Sequence, residues 1–154
     1  MPRNIIAYDK YVLTDVSNEP KLWSGKDPVA PSLSDSFRVS SGRKVFSLSS
    51  SNGGYAAFIC IARLSNIPHS MKCLEDFCDP RGPIAVPYSV WSNSPGAGSE
   101  IISRILLTAA EDPDIDRVIT LSPKTNMAKA FHLKNGAIEL RVNKQFVNFE
   151  YKDF

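Results

Sequence analysis

Ile84-Ala-Val-Pro-Tyr-Ser-Val-Trp-Ser-Asn-Ser-Pro-Gly-Ala-Gly-Ser-Glu100 decides how this chain is to be read. Its first half, Ile84–Trp91, is an apolar run of strand length, the pattern of a strand buried on both faces. Pro87 sits inside it. Proline has no N–H to give to a ladder, so this strand must bulge, bend or lie at an edge there. The second half is a turn with glycines at 96 and 98. From Ser99 to Glu111, Ile101, Ile102, Ile105, Leu106 and Ala109 then recur at helical spacing. Strand, glycine turn and helix in that order bring close backbone approach together with the free N–H groups and positive dipole end of a helix start, which suits a pyrophosphate. The turn is not a P-loop, because no Lys-Ser/Thr follows the glycines, and it lacks the third glycine of a dinucleotide fingerprint.

On the N-terminal side, Lys44–Ser50 and Tyr55–Leu64 flank Ser51-Asn52-Gly53-Gly54. Asn-Gly between two strand-like runs predicts an antiparallel hairpin. Ser70 is placed to cap a short helix over Met71–Phe77. On the C-terminal side, Arg117–Leu121 reads as a strand, and Ser122-Pro123 as an N-cap followed by proline at the first helical position. That helix runs to Lys134, where Asn135-Gly136 supplies a left-handed stop. Ala137–Val142 and Gln145–Tyr151 are two closing strands. The order β-β-α-β-α-β-α-β-β from residue 44 predicts an α/β (α+β) domain with a mixed sheet flanked by helices. Residues 1–36 are expected to form a cover segment over a core at 37–154, in one domain overall. Within the cover, Tyr8–Val16 forms a short strand or helix, and the Ser-, Pro- and Asp-rich stretch Ser24–Ser36 is a loop.

Composition narrows the function classes. The 154 residues are 43% hydrophobic and 22% charged, globular values, and 18 Lys+Arg against 16 Asp+Glu leave a net charge of +2. No dense basic run is present, which argues against a nucleic-acid partner held through phosphates. The apolar runs are far shorter than the ~20 residues of a membrane helix. The beginning of the chain has no apolar stretch of signal-peptide length, so a cytoplasmic location is expected. Three cysteines make an odd set. His69, Cys73 and Cys78 lack the second ligand pair of a structural zinc site, so no metal is expected and the thiols are read as small packed hydrophobes.

The segments together resemble the GNAT acetyltransferase superfamily, in which a disrupted strand, a turn of the form Q/R-x-x-G-x-G/A and a helix bind the coenzyme A pyrophosphate. Here the turn reads Asn93-x-x-Gly96-x-Gly98, and a following motif, A-x-x-F-Y-x-x-x-G-F, reads Ala128-x-x-Phe131-His132-x-x-x-Gly136-Ala137. His132 takes the slot of a tyrosine that protonates the departing thiolate. A closer resemblance is to the GNAT-like catalytic half of the malonyl-CoA decarboxylases. It spans roughly 55–151 and is carried by Pro87–Asn93, Gly96–Ile102, Leu121-Ser122-Pro123, Phe131–Ala137 and Asn148–Tyr151. In that family a serine and a histidine at the positions of Ser122 and His132 are implicated in catalysis.

The resemblance implies a GNAT-like, mostly antiparallel sheet and a coenzyme A thioester, acetyl-CoA or malonyl-CoA, as substrate. Backbone at Tyr88, Ser89 and Val90 would pair with the pantetheine arm. Asn93, Pro95, Gly96, Ala97, Gly98 and Ser99 would surround the pyrophosphate. Asn126 would touch the pantetheine, and Tyr88 the thioester oxygen. His132 would be the general acid/base, with a pKa near neutrality, and a helix C-terminus favours its cation. Ser122 lies ten positions before His132. On one straight helix the two would stand about 15 Å apart at 1.5 Å per residue. Either the helix starts later, near Thr125 or Asn126, and the chain folds back, or Ser122 only caps the helix, and the cap is the favoured reading. Acyl transfer to an acceptor of unspecified chemistry is the leading reading, followed by malonyl-CoA decarboxylation and by a non-catalytic CoA-binding or purely structural GNAT-like module, with the C-terminal strands as the place where a homodimer could form. Arg63 and Arg141 are the cations available to a dicarboxylic acyl chain.

Overall fold

The structure, a computed structural model, describes residues 11–154. Eight strands form one sheet: β1 (Tyr11–Asp15), β2 (Arg43–Ser50), β3 (Tyr55–Leu64), β4 (Ile84–Ser92), β5 (Arg117–Ile119), β6 (Ser122–Pro123), β7 (Ile138–Val142) and β8 (Phe146–Tyr151). The helices are α1 (Asp35–Val39), α2 (Cys73–Asp76), α3 (Ala97–Ala110) and α4 (Asn126–Lys134). The strand order is β1-β2-β3-β4-β5-β8, with β6 and β7 also paired to β8, and every pairing except β4–β5 is antiparallel. This is the mixed, mostly antiparallel sheet that the sequence order implies.

The sheet is covered on both faces, which is why β3 is an unbroken apolar run rather than an alternating one. Ala57, Ile59 and Ile61 meet Ile101, Ile102, Ile105 and Ala109 of α3 on one side. Phe58, Cys60 and Ala62 join Trp23, Val45 and Leu74 on the other. At the C-terminal end, Arg117 donates to both carboxylate oxygens of Glu150, at 2.8 and 2.9 Å, and ties β5 to β8.

Three helix boundaries differ from expectation. The helix foreseen at Met71–Phe77 is the single turn Cys73–Asp76; Lys72 precedes it with no side-chain cap, so Ser70 is not the cap. The helix expected from Ser99 begins at Ala97, directly after Gly96, whose φ of 79° lies in the left-handed region that glycine favours. The helix expected from Ser122-Pro123 begins at Asn126. Its cap is Thr125, whose hydroxyl accepts the Ala128 N–H at 3.2 Å. Ser122 and Pro123 instead pair with Val147 and Phe146 of β8.

The segment ahead of residue 37 is built into the domain. β1 is hydrogen-bonded along β2, and α1 crosses the expected 36/37 division. Residues 8–10 of the element foreseen at Tyr8–Val16 lie outside the described residues; Tyr11–Asp15 is strand, and Val16 lies just beyond it. The stretch between Ser24 and α1 crosses the domain as a strap, tied down by a buried pair. Arg38 donates to Asp27 at 2.6 Å, and both side chains are almost fully enclosed. Burial, the largest single influence, would lower the Arg38 pKa, but the hydrogen bond to Asp27 together with the interactions with Cys60 and the Asp27 charge raises it and keeps the guanidinium charged. Replacing Arg38 by Ala leaves the Asp27 carboxylate buried and unpaired, so Arg38→Ala is expected to cost about 3–5 kcal/mol of stability in urea denaturation. An unchanged midpoint would mean that the pair holds nothing.

Candidate active site

Past Pro87, β4 and β5 part company. Their parallel pairing covers only Ile84–Arg117 and Ala85–Val118, and one further bond, from the Leu121 N–H to the Pro87 carbonyl at 3.1 Å, ends the contact. On its other edge β4 stays paired with β3, with Tyr88 as the extra residue of a bulge between the Ser89–Cys60 and Pro87–Ile61 pairs. The two strands therefore diverge around a cavity of about 350 Å³. Pro87 to Ser92 form one wall and Leu121, Ser122 and Pro123 the other. Thr125, Met127, Ala128, Phe131 and His132 close one side of the cavity, and Pro28 and Val29 of the strap complete it. No Asp, Glu, Lys or Arg is among the lining residues. A volume of this size is ordinary for a small-molecule site.

His132 is the buried residue of α4. Its ring stacks on Phe149, with centroids 5.3 Å apart, and Nδ1 lies 2.7 Å from the Tyr151 hydroxyl. Burial pushes the imidazole down to about 4, overriding the helix C-terminus that would favour the cation, so His132 is neutral at pH 7. The expected near-neutral pKa is thereby corrected. Burial raises the pKa of Tyr151, which keeps its proton, and its hydroxyl has no other partner among the described residues. Tyr151 therefore donates to Nδ1, and the imidazole proton sits on Nε2. Nε2 has no protein partner and is not among the sealed-off polar atoms, so it is the ring atom available to the cavity. Sequence reading missed Tyr151, because nothing local links it to a residue nineteen positions earlier.

Ser122 is buried on the same cavity wall and donates to Thr120 Oγ1 at 2.7 Å. Because α4 starts at Asn126, the later of the two starts, Ser122 and His132 line one space, and the favoured reading of Ser122 as the helix cap is corrected. Tyr88 borders the cavity, but its hydroxyl is sealed beside the Cys60 thiol with no hydrogen-bond partner. Burial pushes Cys60 itself up to about 11, so the thiol is inert. Asn126 is exposed and lies outside the cavity lining; its neighbour Thr125 lies on it. Arg63 is engaged by the Gly82 carbonyl and Asp112, and Arg141 by the Ile67 carbonyl; neither reaches the cavity.

The glycine turn adjoins this space. Gly98 lines the cavity and belongs to the first turn of α3. The Gly98 and Ser99 amides have no hydrogen-bond partner among the described residues, and they point along the positive end of a fourteen-residue helix. A Cβ on Gly98 would stand 3.1 Å from Cε1 of Phe131, so this glycine also lets α3 and α4 approach closely. Asn93 spends its side-chain amide on the Tyr55 carbonyl and its N–H on Ala56. Pro95 and Gly96 are exposed at the turn, and Ala97 is buried. Among the described residues no group of His, Cys, Asp and Glu side chains is arranged to hold a metal, and no helix is long and apolar enough to cross a membrane.

No protein-family model matches the sequence, and no curated protein does. Solved structures do match its fold. Malonyl-CoA decarboxylase from Rhodopseudomonas palustris superposes with a TM-score of 0.72 at 14% identity, over 97% of this chain and 62% of that one. This chain thus spans less than two thirds of that decarboxylase. The GphF GNAT-like decarboxylase in complex with isobutyryl-CoA gives 0.69 at 14% identity, over 92% and 98% of the two chains. AAC(6')-Ib in complex with ribostamycin and coenzyme A gives 0.67 at 11%, over 94% of each. The fold is GNAT-like.

The histidine carries a stability prediction. In the unfolded chain it titrates near its ordinary 6.5, and in the folded one near 4. Between those values the unfolded state holds more protons, so the contribution of neutral His132 is full above pH 6.5 and is lost as pH falls to about 4, roughly 3 kcal/mol in all. The stability difference between wild type and His132→Gln, followed by denaturation from pH 7 to 4, is expected to shrink over that window. A pH-independent difference would mean that the imidazole titrates alike in both states.

Proposed function

We propose that this GNAT-like protein is an enzyme acting on coenzyme A thioesters, with the acyl end in the cavity between β4 and the Leu121–Thr125 connection. One observation carries this: the opening between the parted strands holds an available imidazole N–H and runs directly to the unpaired amides of Gly98 and Ser99. The pyrophosphate would rest on those amides, with Asn93, Pro95, Gly96 and Ala97 shaping the turn. The pantetheine would run along the β4 edge at Tyr88, Ser89 and Val90, which β5 leaves unpaired, with Asn126 near its exit. The ligands of two similar folds, isobutyryl-CoA and coenzyme A, support the choice of thioester.

In this reading His132 stabilises charge rather than delivering a proton. A neutral imidazole is a poor acid, but its Nε2–H is a fixed hydrogen-bond donor in a water-poor site, suited to a thioester oxygen on which negative charge accumulates. Removal of carbon dioxide from a malonyl-type thioester uses that donor directly. The C2–C3 bond breaks, its electron pair passes through C2 onto the thioester oxygen, carbon dioxide leaves, and C2 takes a proton from water, directly or relayed through the Ser122 hydroxyl, which that water reprotonates. The shared cavity of Ser122 and His132 favours this chemistry, as does the absence of an acidic side chain to deprotonate an incoming amine.

Acyl transfer to an acceptor is the second reading. It is favoured by the lack of any lysine or arginine on the walls to pair with a malonyl carboxylate, and the same Nε2–H would then steady the tetrahedral oxyanion.

The purified protein given malonyl-CoA and no acceptor is expected to form acetyl-CoA, and His132→Ala to lower kcat by about 10²–10³. Acetyl-CoA consumed only when an acceptor is added would select transfer. Calorimetric binding of CoA without turnover would leave a binding module, and no binding of CoA, acetyl-CoA or malonyl-CoA would remove the proposal.

A further inference from the structure

The strap offers an assignment of its own, resting on the acyl-CoA reading above. Both oxygens of the Asp27 carboxylate are taken. Oδ1 accepts the Val29 and Ala30 N–H groups at 2.7 and 3.2 Å. Oδ2 accepts Arg38 at 2.6 Å and the Ser89 hydroxyl at 2.7 Å. Arg38 reaches back along the strap to the Ala30 and Leu33 carbonyls at 2.7 and 3.3 Å, and to the Cys60 thiol at 3.5 Å. The strap is thus fastened to its own helix and, through Ser89, to β4 one residue beyond the bulge. Of the strap residues only Pro28 and Val29 border the cavity, and they are the two that directly follow Asp27.

We infer that Val29, fixed in place by the Asp27–Arg38–Ser89 network, is the residue that limits acyl-chain length at this end of the cavity, so that the protein selects short acyl chains. A wall held by a buried ion pair cannot yield to a larger group as a mobile lid would, so it discriminates by volume. Its surface is hydrocarbon. Pro28 and Val29 face a space without a charged side chain, so a terminal carboxylate or ammonium held there would find no partner. In a decarboxylation this is the wall left in contact with the uncharged acyl product; in a transfer it contacts the acyl group throughout. Asp27 and Ser89 act through Val29 and are positioning residues.

The test is calorimetric binding of CoA, acetyl-CoA, butyryl-CoA and hexanoyl-CoA to the full chain, read as the ratio of hexanoyl-CoA to acetyl-CoA affinity. Val29 is only partly buried, so its variants should fold. Val29→Ala is expected to raise the ratio about tenfold, within the range that methylene-sized changes give in apolar pockets, and Val29→Phe to lower it. Ser89→Ala removes one bond to Asp27 without stranding a charge, and is expected to flatten the dependence on chain length. A simple loss of folding would weaken every ligand alike and leave the ratio unmoved. Identical chain-length profiles in wild type and both Val29 variants, with CoA still bound, would overturn the inference. Failure of wild type to bind any of the four ligands would overturn the acyl-CoA reading beneath it.

Discussion

The site depends on a hydrogen-bond donor that is absent. Within a strand the N–H and C=O of one residue face the same neighbour, and the Pro87 carbonyl faces β5, where it accepts from Leu121 at 3.1 Å. The N–H that proline lacks would have faced β5 as well. The ladder between β4 and β5 therefore ends where it would have needed that donor. The bulge at Tyr88 on the β3 side takes up one extra residue at the same point, bending β4 away. A continuous parallel pairing would have filled the space with side chains from both strands. The interruption leaves a cavity of about 350 Å³ between strands that are otherwise rigid.

What fills the rim of that opening follows from two competing effects on one residue. A histidine in the last turn of a helix gains from being charged, by a fraction of a kcal/mol at an exposed site and up to about 2 in partly buried ones. Enclosure by Phe149, Phe131 and Tyr151 works the other way and prevails, so the ring is neutral. Neutrality turns the Tyr151 bond into a tautomer selector: with Nδ1 accepting, Nε2 carries the proton. The same enclosure that removes His132 as a proton source at neutral pH makes it a fixed dipole with a known donor atom.

Much of this could be read from local patterns, because local chemistry decides it. The Asn52-Gly53 hairpin, the break at Pro87, the glycine turn before α3 and the Asn135-Gly136 stop all depend on backbone preferences of a few residues. The start of α4 does not. Ser122 followed by proline and Thr125 are comparable capping candidates three residues apart. The choice between them is made by β8, whose Val147 and Phe146 pair with Ser122 and Pro123 and hold them extended. The strap itself is legible as a loop over the domain, but what fastens it is not. Asp27 finds Ser89 sixty-two positions away, and no periodicity announces such a pair. Even the cysteines follow this rule: Cys60 is silent in the sequence and becomes a minor acceptor for Arg38 only through the strap.

The elements around the cavity are also coupled to one another. Gly98 is in the first turn of α3, where the unpaired amides are, and it is also the point at which α3 meets the Phe131 ring of α4. Phe131 precedes His132, and their rings stand edge to face at 5.1 Å. The placement of the unpaired amides relative to the imidazole thus depends on one contact whose tightness depends on a missing Cβ. Across the cavity, Ser89 fixes the strap to the strand whose break created the space. Each wall is referred to β4, either directly or through α3. What this construction offers a ligand is shape, set by small side chains at the edges, rather than charge, since no Asp, Glu, Lys or Arg lines the cavity.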